Sequence, residues 1–305
     1  MSVSVFGSLN LDIALRLPVR AAWGQTLLVD EGQQAVGGKG LNQAVAAARF
    51  GSATRMAGAV GGDAAGVMLR DALEAEGIDT AQVEVLEGRG SGRATILIEP
   101  GGDNMIAVEA AANLSAQAAG AVAALDTETR VLLVQLETDI DQIAALLASG
   151  PAASVRRILN AAPAIPAGSR LFDLCDMLIF NQTEFADYLR LDREPETLED
   201  LAPARRLLTR PDQAVVVTLG AIGSAAIWMD RAIFAPAIRA EAVVDTSGAG
   251  DCFCGVVAAC VDQGIGAQEA LGLANAAASI SVGRHGAAPS MPRRAEVDAL
   301  LAALA

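Results

Sequence analysis

The chain has 305 residues, a formal charge of −14, 52% hydrophobic residues and 19% charged ones. That length suits one large α/β domain, and the apolar fraction supplies a sizeable core and excludes a disordered chain. The surplus of 36 acidic over 22 basic residues excludes a surface built for nucleic acid or an anionic membrane, because no global field attracts phosphates.

Targeting and cysteine signals point the same way. The opening MSVSVFGSLNLD has no basic n-region and Asp12 interrupts it, so it does not read as a signal peptide. No run approaches the ~18 apolar residues of a membrane span. Cys175, Cys252, Cys254 and Cys260 have neither metal-ligand nor disulfide-framework spacing. They read as buried thiols in a reducing compartment, so a cytoplasmic protein is expected. Among the basic residues Lys39 is the lone lysine. A bias toward Arg explains the scarcity, and the survivor flags a position where Arg does not fit.

In chain order, residues 3–7 read as a short strand and residues 42–50 as an Ala-rich helix closed by Gly51. Residues 54–60 form a strand candidate, and residues 64–76 a helix closed by Gly77. Apolar runs at 131–136, 157–159, 177–180 and 214–219 repeat the theme, and the charged stretch 193–210 reads as a solvated helix. Strands alternating with helices, the strands nearly continuous in apolar residues, predict a doubly wound, mostly parallel sheet covered by helices on both faces. Two stretches break the pattern. Residues 93–99 and 104–109 flank Pro100-Gly101-Gly102-Asp103 as a hairpin, and residues 13–36 look extended throughout. Together, at about 11–36 and 93–110, they are expected to form a small β-lid within a single domain spanning 1–305.

Four constellations carry chemistry. Asp245-Thr-Ser-Gly-Ala-Gly-Asp251 leads into a helix at 252–263. Gly248 and Gly250 allow close backbone approach, and a helix N-terminus offers free N–H groups to an anion. A carboxylate there, Asp251, suits a base that deprotonates a hydroxyl attacking phosphorus; the plain alternative is a glycine turn with Asp251 as a cap. Gly37-Gly38-Lys39-Gly40-Leu41-Asn42 also precedes a helix but is not a Walker loop, since Gly40 follows Lys39 where Ser or Thr is required. Its glycines, Lys39 and Asn42 point donors at a polar ligand, or form only a tight turn. Asn10 and Asp12 alternate after the first strand and could bond vicinal hydroxyls. Asn181-Gln-Thr-Glu184 could hold Mg²⁺ and phosphate oxygens, and it also has the form of a capping box. The lone His285 reads as a surface residue, and HExxH, GxSxG and an opening GxGxxG are absent.

These motifs together resemble the ribokinase (PfkB-type) carbohydrate kinase family, over nearly the whole chain from GSLNLD at Gly7 to RHGAAPSMP ending at Pro292. GGKGLNQAVAAARFG (37–51) and DTSGAGDCFCG (245–255) look like the two family signatures, with Asn181-Gln-Thr-Glu184 and Thr218-Leu-Gly220 between them. The resemblance implies ATP-dependent phosphorylation of the terminal hydroxyl of a free sugar, D-ribose to D-ribose 5-phosphate. A kinase for fructose, another ketose or a nucleoside is the alternative, and a non-catalytic sensor that kept the fold is a third.

By the same resemblance Asp251 is the catalytic base, and Gly248, Ala249 and Gly250 are the anion hole. Asn10, Asp12, Gly38, Lys39, Gly40, Asn42 and Glu137 match sugar-binding positions. Asn181, Thr218, Gly220, Gly223, Gly250 and Asn275 match the nucleotide site, and Glu184 matches the Mg²⁺-linked carboxylate. Asp245, Ser247, Ser281, Arg284, Gly286 and Ser290 match loops that hold an activating K⁺, and the family's paired lids imply a homodimer. The chain departs from the usual pattern at Gln25, where Glu is common, and at Ala111, where Gly is common. It departs again at Asn275, where His is frequent, and at Ala161. A low aromatic content, 3% with one Tyr, favours a free sugar over a nucleoside.

Overall fold

The computed structural model describes residues 1–30, 32–101 and 103–304. The first strand, β1 (Ser2–Phe6), is buried along its whole length. Its side chains alternate between two cores: Val3 and Val5 join one, Phe6 the other. Period-2 alternation between two apolar layers is what a strand covered on both faces requires.

After β1 the chain leaves this sheet for β2 (Asn10–Arg16) and β3 (Gly32–Gly37), then enters helix α1 (Lys39–Arg49). Strand β4 (Ala53–Gly61), helix α2 (Ala64–Ala75) and strand β5 (Asp79–Leu86) follow. The hairpin β6 (Gly92–Ile98) and β7 (Asn104–Glu109) comes next. The chain continues through α3 (Ala118–Ala123), β8 (Thr129–Val134), α4 (Ile140–Leu147), β9 (Arg156–Asn160), β10 (Met177–Phe180) and α5 (Gln182–Leu189). It ends with β11 (Ala214–Thr218), β12 (Gly223–Ile227), β13 (Ala232–Pro236), α6 (Ala249–Asp262), α7 (Ala267–Ser281) and α8 (Arg294–Leu304).

Among the described residues the large sheet has nine strands in the order β13-β12-β11-β10-β9-β8-β1-β4-β5. Every pair from β11 to β5 is parallel. The expected doubly wound architecture is therefore present, with Leu133, Ile179 and Val216 on the face of Val3 and Leu132, Phe180 and Val217 on the opposite face. The edge differs from expectation: β12 and β13 run antiparallel. Only residues 219–222, with a single 3₁₀ turn over Gly220–Ile222, separate β11 from β12, far too short for a parallel crossover. Strand β5, between Asp79 and Leu86, has no counterpart among the expected elements.

The second sheet has four strands in the order β3-β2-β6-β7. The hairpin expected at 93–109 is present, with Arg93 paired to Glu109 and Glu99 N donating to Asp103 O at 2.8 Å; Gly102 of its turn lies outside the described residues. The extended reading of 13–36 holds only at its ends. Strand β2 stops at Arg16, β3 starts at Gly32, and residues 17–30 carry no strand; Glu31 also lies outside the described residues.

A further correction concerns 193–210, which forms no α-helix. It contains 3₁₀ turns over Glu199–Leu207 with Pro203 inside, a residue that has no N–H for a helical ladder. The four cysteines are buried and unpaired, as expected, and His285 is exposed. No helix among the described residues is long and apolar enough to cross a membrane.

Candidate active site

The polar residues of interest follow the C-terminal ends of consecutive parallel strands. Ser8 and Asn10 follow β1, Gln135 and Glu137 follow β8, Asn160 ends β9, Asn181 follows β10, and Thr218 ends β11. In open α/β sheets this edge is where ligands bind. Helix α6 brings Gly248, Gly250 and Asp251 to the same edge. Gly248 is its N-cap with φ 78° and ψ −3°, and Asp251 lies in its first turn. The cap is thus glycine, and Asp251 turns its side chain elsewhere. Asp251 Oδ2 accepts from Asn42 Nδ2 at 2.9 Å and Oδ1 from Gln43 Nε2 at 2.8 Å.

Two cavities meet here. A cleft of about 770 Å³ is lined by Gly220, Gly223, Ala249, Asn275 and the apolar Phe253 and Val243, among others. A polar pocket of about 200 Å³ is lined by Lys39, Asn160, Asn181, Glu184, Gly248 and Asp251, among others. Thr218 and Gly250 line both, so the large cleft leads past the α6 N-terminus to the Asp251 carboxylate. Asn275 does not point freely into the cleft: its Nδ2 donates to Ala235 O at 2.9 Å and Pro236 O at 3.1 Å, fixing the end of β13 as a wall. Asn181 and Glu184 make the capping box read from sequence. Asn181 Oδ1 accepts from Glu184 N at 2.7 Å, and Asn181 N donates to Glu184 Oε2 at 2.9 Å.

On the other side of Asp251, helix α1 begins at Lys39 with Gly38 as N-cap. Its first N–H groups are already engaged. Lys39 N donates to Glu137 Oε2 at 3.2 Å and Gly40 N to Ser8 Oγ at 3.4 Å, while Ser8 Oγ donates to Glu137 Oε2. Asn10 Oδ1 accepts from Asn113 Nδ2 at 2.8 Å, and Asn113 also grips Leu9 N and O, which anchors the start of β2. Asp12 lies two residues on, on the same strand face as Asn10. Its carboxylate covers Gly37, where any Cβ would overlap it.

Charge is concentrated in this space. Burial, then the fields of Glu137 and Asp251, pushes the Asp12 carboxyl up to about 7. Burial raises Glu184 as well, against the opposing pull of the Asn181 N–H and Lys39. Burial acts to lower Lys39, but the carboxylates of Asp251, Glu137 and Glu184 outweigh it and hold the ammonium above its ordinary value. Lys39 therefore neutralises a nest of acids, and it lines the same pocket as Asp251 and Glu184.

The Asp12 shift has a measurable consequence. Its folded value exceeds the unfolded one, so ionising it in the empty protein costs stability. The penalty is absent below about pH 4 and grows as pH rises to about 7. Asp12→Asn is expected to stabilise the unliganded protein by about 2–4 kcal/mol at pH 8 and by almost nothing at pH 4. Thermal denaturation across that range checks it; a pH-independent difference would contradict the assigned cause.

The loops expected to hold a monovalent cation are apposed, but their side chains are occupied. Asp245 bridges the loops, accepting from Ser247 N at 2.8 Å and Gly286 N at 2.9 Å. Ser281 and Ser290 donate to Ala278 O and Ala287 O at 2.9 and 2.7 Å, and Arg284 pairs with Glu296. Arg49 ties the second loop to α1 by donating to Ala288 O, Pro289 O and Met291 O at 3.2, 3.2 and 2.6 Å. These hydroxyl and carboxylate oxygens keep free lone pairs, so a cation here would meet them together with backbone carbonyls. Among the described residues there is no cluster of three His, Cys, Asp or Glu placed for a metal.

A roomy, largely apolar cleft opening at a helix N-terminus onto a buried carboxylate defines an enzyme that transfers a group from a nucleotide-sized donor to a small polar acceptor. The sequence matches the pfkB family carbohydrate kinase profile over residues 1–294, and the chain belongs to that family. It is 32% identical to ribokinase of Schizosaccharomyces pombe, covering 98% of this chain and 97% of that one. It is equally 32% identical to deoxyribokinase of Salmonella typhimurium, covering 96% of each. The fold superimposes on Arabidopsis thaliana ribokinase complexed with ribose and ATP with a TM-score of 0.86, 30% identity and 98% coverage of both chains.

Sequence reasoning passed over Gln43, Gln135 and Asn160. Gln43 Nε2 also donates to Asn160 Oδ1 at 3.0 Å, and Gln43 Oε1 accepts from Gln135 Nε2 at 2.7 Å. A signal was available: each is a polar residue within or ending an otherwise apolar run.

Proposed function

We propose that the enzyme phosphorylates the terminal hydroxyl of D-ribose with ATP, forming D-ribose 5-phosphate and ADP. The observation that carries this reading is the Asp251 carboxylate, set between the nucleotide-sized cleft and the acid-rich pocket mouth. Asp251 takes the proton of the 5-hydroxyl as its oxygen forms a bond to the γ-phosphorus and the bond to the β,γ-bridging oxygen breaks. Gly248, Ala249 and Gly250, at the α6 N-terminus, form the anion hole; the Ala249 N–H, which donates to Thr246 O at 3.3 Å, must exchange that partner to join in stabilising the charge on the transferred phosphoryl. This local donor set allows a protein of charge −14 to handle an anionic substrate.

Asn10, Asp12, Gly38, Lys39, Gly40, Asn42 and Glu137 form the sugar site. Two carboxylates facing one space, Asp12 and Glu137, suit a ligand that presents several hydroxyl donors, and each unpaired carboxylate would cost affinity for a sugar lacking one. Asn181, Thr218, Gly220, Gly223, Gly250 and Asn275 border the nucleotide. Glu184 fits Mg²⁺, which binds through one or two carboxylates plus phosphates, and bound Mg²⁺ neutralises the nucleotide phosphates. The apposed loops of Asp245, Ser247, Ser281, Arg284, Gly286 and Ser290 fit K⁺ through carbonyl oxygens. The four-stranded sheet acts as a lid within one domain. The exposed Met105, Ile106 and Val108 on β7 support pairing of two lids in a homodimer, in the cytoplasm.

The test is an ADP-release assay over ribose, 2-deoxyribose, fructose and adenosine, with and without K⁺. Ribose is expected to have the highest kcat/KM, and K⁺ to raise it. Preference for 2-deoxyribose, fructose or adenosine would overturn the substrate assignment, and turnover indifferent to K⁺ would overturn the cation site.

A further inference from the structure

We propose that Gln43 is a positioning residue for phosphoryl transfer, its amide locked by Gln135 so that it holds the Asp251 carboxylate in one orientation. The inference rests on the reading of Asp251 as the base. Gln43 and Gln135 are both 0% exposed, and the amide of Gln43 is engaged at every hydrogen. One N–H meets Asp251 Oδ1 and the other meets Asn160 Oδ1, while its oxygen accepts from Gln135. Rotating the amide by half a turn would set its oxygen against two acceptors and its NH₂ against the NH₂ of Gln135. Gln135 therefore selects the orientation in which Gln43 is a donor to Asp251.

The second carboxylate oxygen is held by Asn42, so consecutive residues of α1 fix the plane of the carboxylate from one side. Asp251 itself lines the pocket that also contains Lys39 and Glu184. Two features mark this relay as more than packing. Gly7 leaves the space that the Gln135 amide fills, since a Cβ there would overlap Gln135 Oε1. Gln135 Oε1 itself meets no donor among the described residues, and a buried unsatisfied oxygen costs stability that an apolar side chain would not. A core selected for stability alone would place Leu or Met at both positions.

The test uses Gln43→Met and Gln135→Met, which keep volume and remove the amides, each also combined with Asp251→Asn. A carboxylate misplaced by a fraction of an ångström loses alignment with the attacking hydroxyl. Gln43→Met is expected to lower kcat by roughly 10–100-fold, with sugar Kd within about threefold of the parent. Gln135→Met is expected to lower kcat in the same direction by about threefold or more, and it carries the test if Gln43→Met fails to fold. In the Asp251→Asn background either substitution is expected to change residual turnover by less than about threefold, because residues that act through one group are not additive. Parental kcat in both single variants, or an equal fractional loss in both backgrounds, overturns the positioning role. Near-normal turnover by Asp251→Asn alone would instead overturn the reading of the base.

Discussion

Asp251→Asn is expected to lower kcat by roughly 10²–10⁴-fold while leaving sugar affinity within a few-fold of the parent. The substitution is isosteric and removes the carboxylate charge that accepts the proton of the attacking hydroxyl, while Glu137 and Glu184 remain beside Lys39. It is also tolerated locally. The introduced amide can keep its oxygen toward Gln43 and turn its NH₂ toward Asn42, whose Oδ1 has no partner among the described residues and gains one by flipping. Asn10, Asp12 and Glu137, proposed above to bind the sugar, are tied to β2 and the α1 N-terminus, not to Asp251. Steady-state kinetics with isothermal titration of the sugar measures both quantities. A loss confined to KM, with kcat unchanged, would remove Asp251 from the chemistry.

The second large effect is expected at Gly248. Its backbone is left-handed, at φ 78°, which costs a residue with a Cβ about 1–2 kcal/mol. A Cβ there would also stand 2.8 Å from Ala287 Cα, in the loop tied down by Arg49. Gly248→Ala must therefore displace the α6 N-terminus; if its N–H groups meet transferred charge as proposed, kcat is expected to fall by about 10²–10³-fold. Gly264 supplies the matched control, with φ 73° but nothing near its missing Cβ. Gly264→Ala is expected to lower Tm by a similar few degrees at unchanged kcat. Equal kcat in the two variants would show that placement of the α6 N-terminus contributes nothing to rate.

Much of this arrangement could be read from the residues, and what escaped has physical causes. The capping box at Asn181 and Glu184 is legible because its partners lie three residues apart and local chemistry settles it. The parallel centre is legible because strands buried on both faces leave unbroken apolar runs. The β12–β13 edge is not, since its strands are as apolar as their neighbours and only the brevity of two connections, through Gly220–Ile222 and through residues 228–231, sets their directions. Residues 17–30 lack helical period, as strands do, yet they have no partner strand. Asp251, Lys39 and Asn10 stand out through their own motifs. Gln43 does not: its three partners lie 92, 117 and 208 residues away in sequence, and a Gln in an Ala-rich helix reads as solvent-facing until the fold closes over it. The lone lysine gains a sharper meaning, because Lys39 is the cation among Asp251, Glu137 and Glu184, where an ammonium occupies less room than a guanidinium.

Transfer of a phosphoryl group to a sugar hydroxyl is visible in ³¹P spectroscopy of the ribose reaction. One phosphomonoester on the 5-oxygen is expected for each ADP formed, with no inorganic phosphate in excess of a ribose-free control. ADP accompanied by inorganic phosphate, or ribose and ATP bound without turnover, would contradict it.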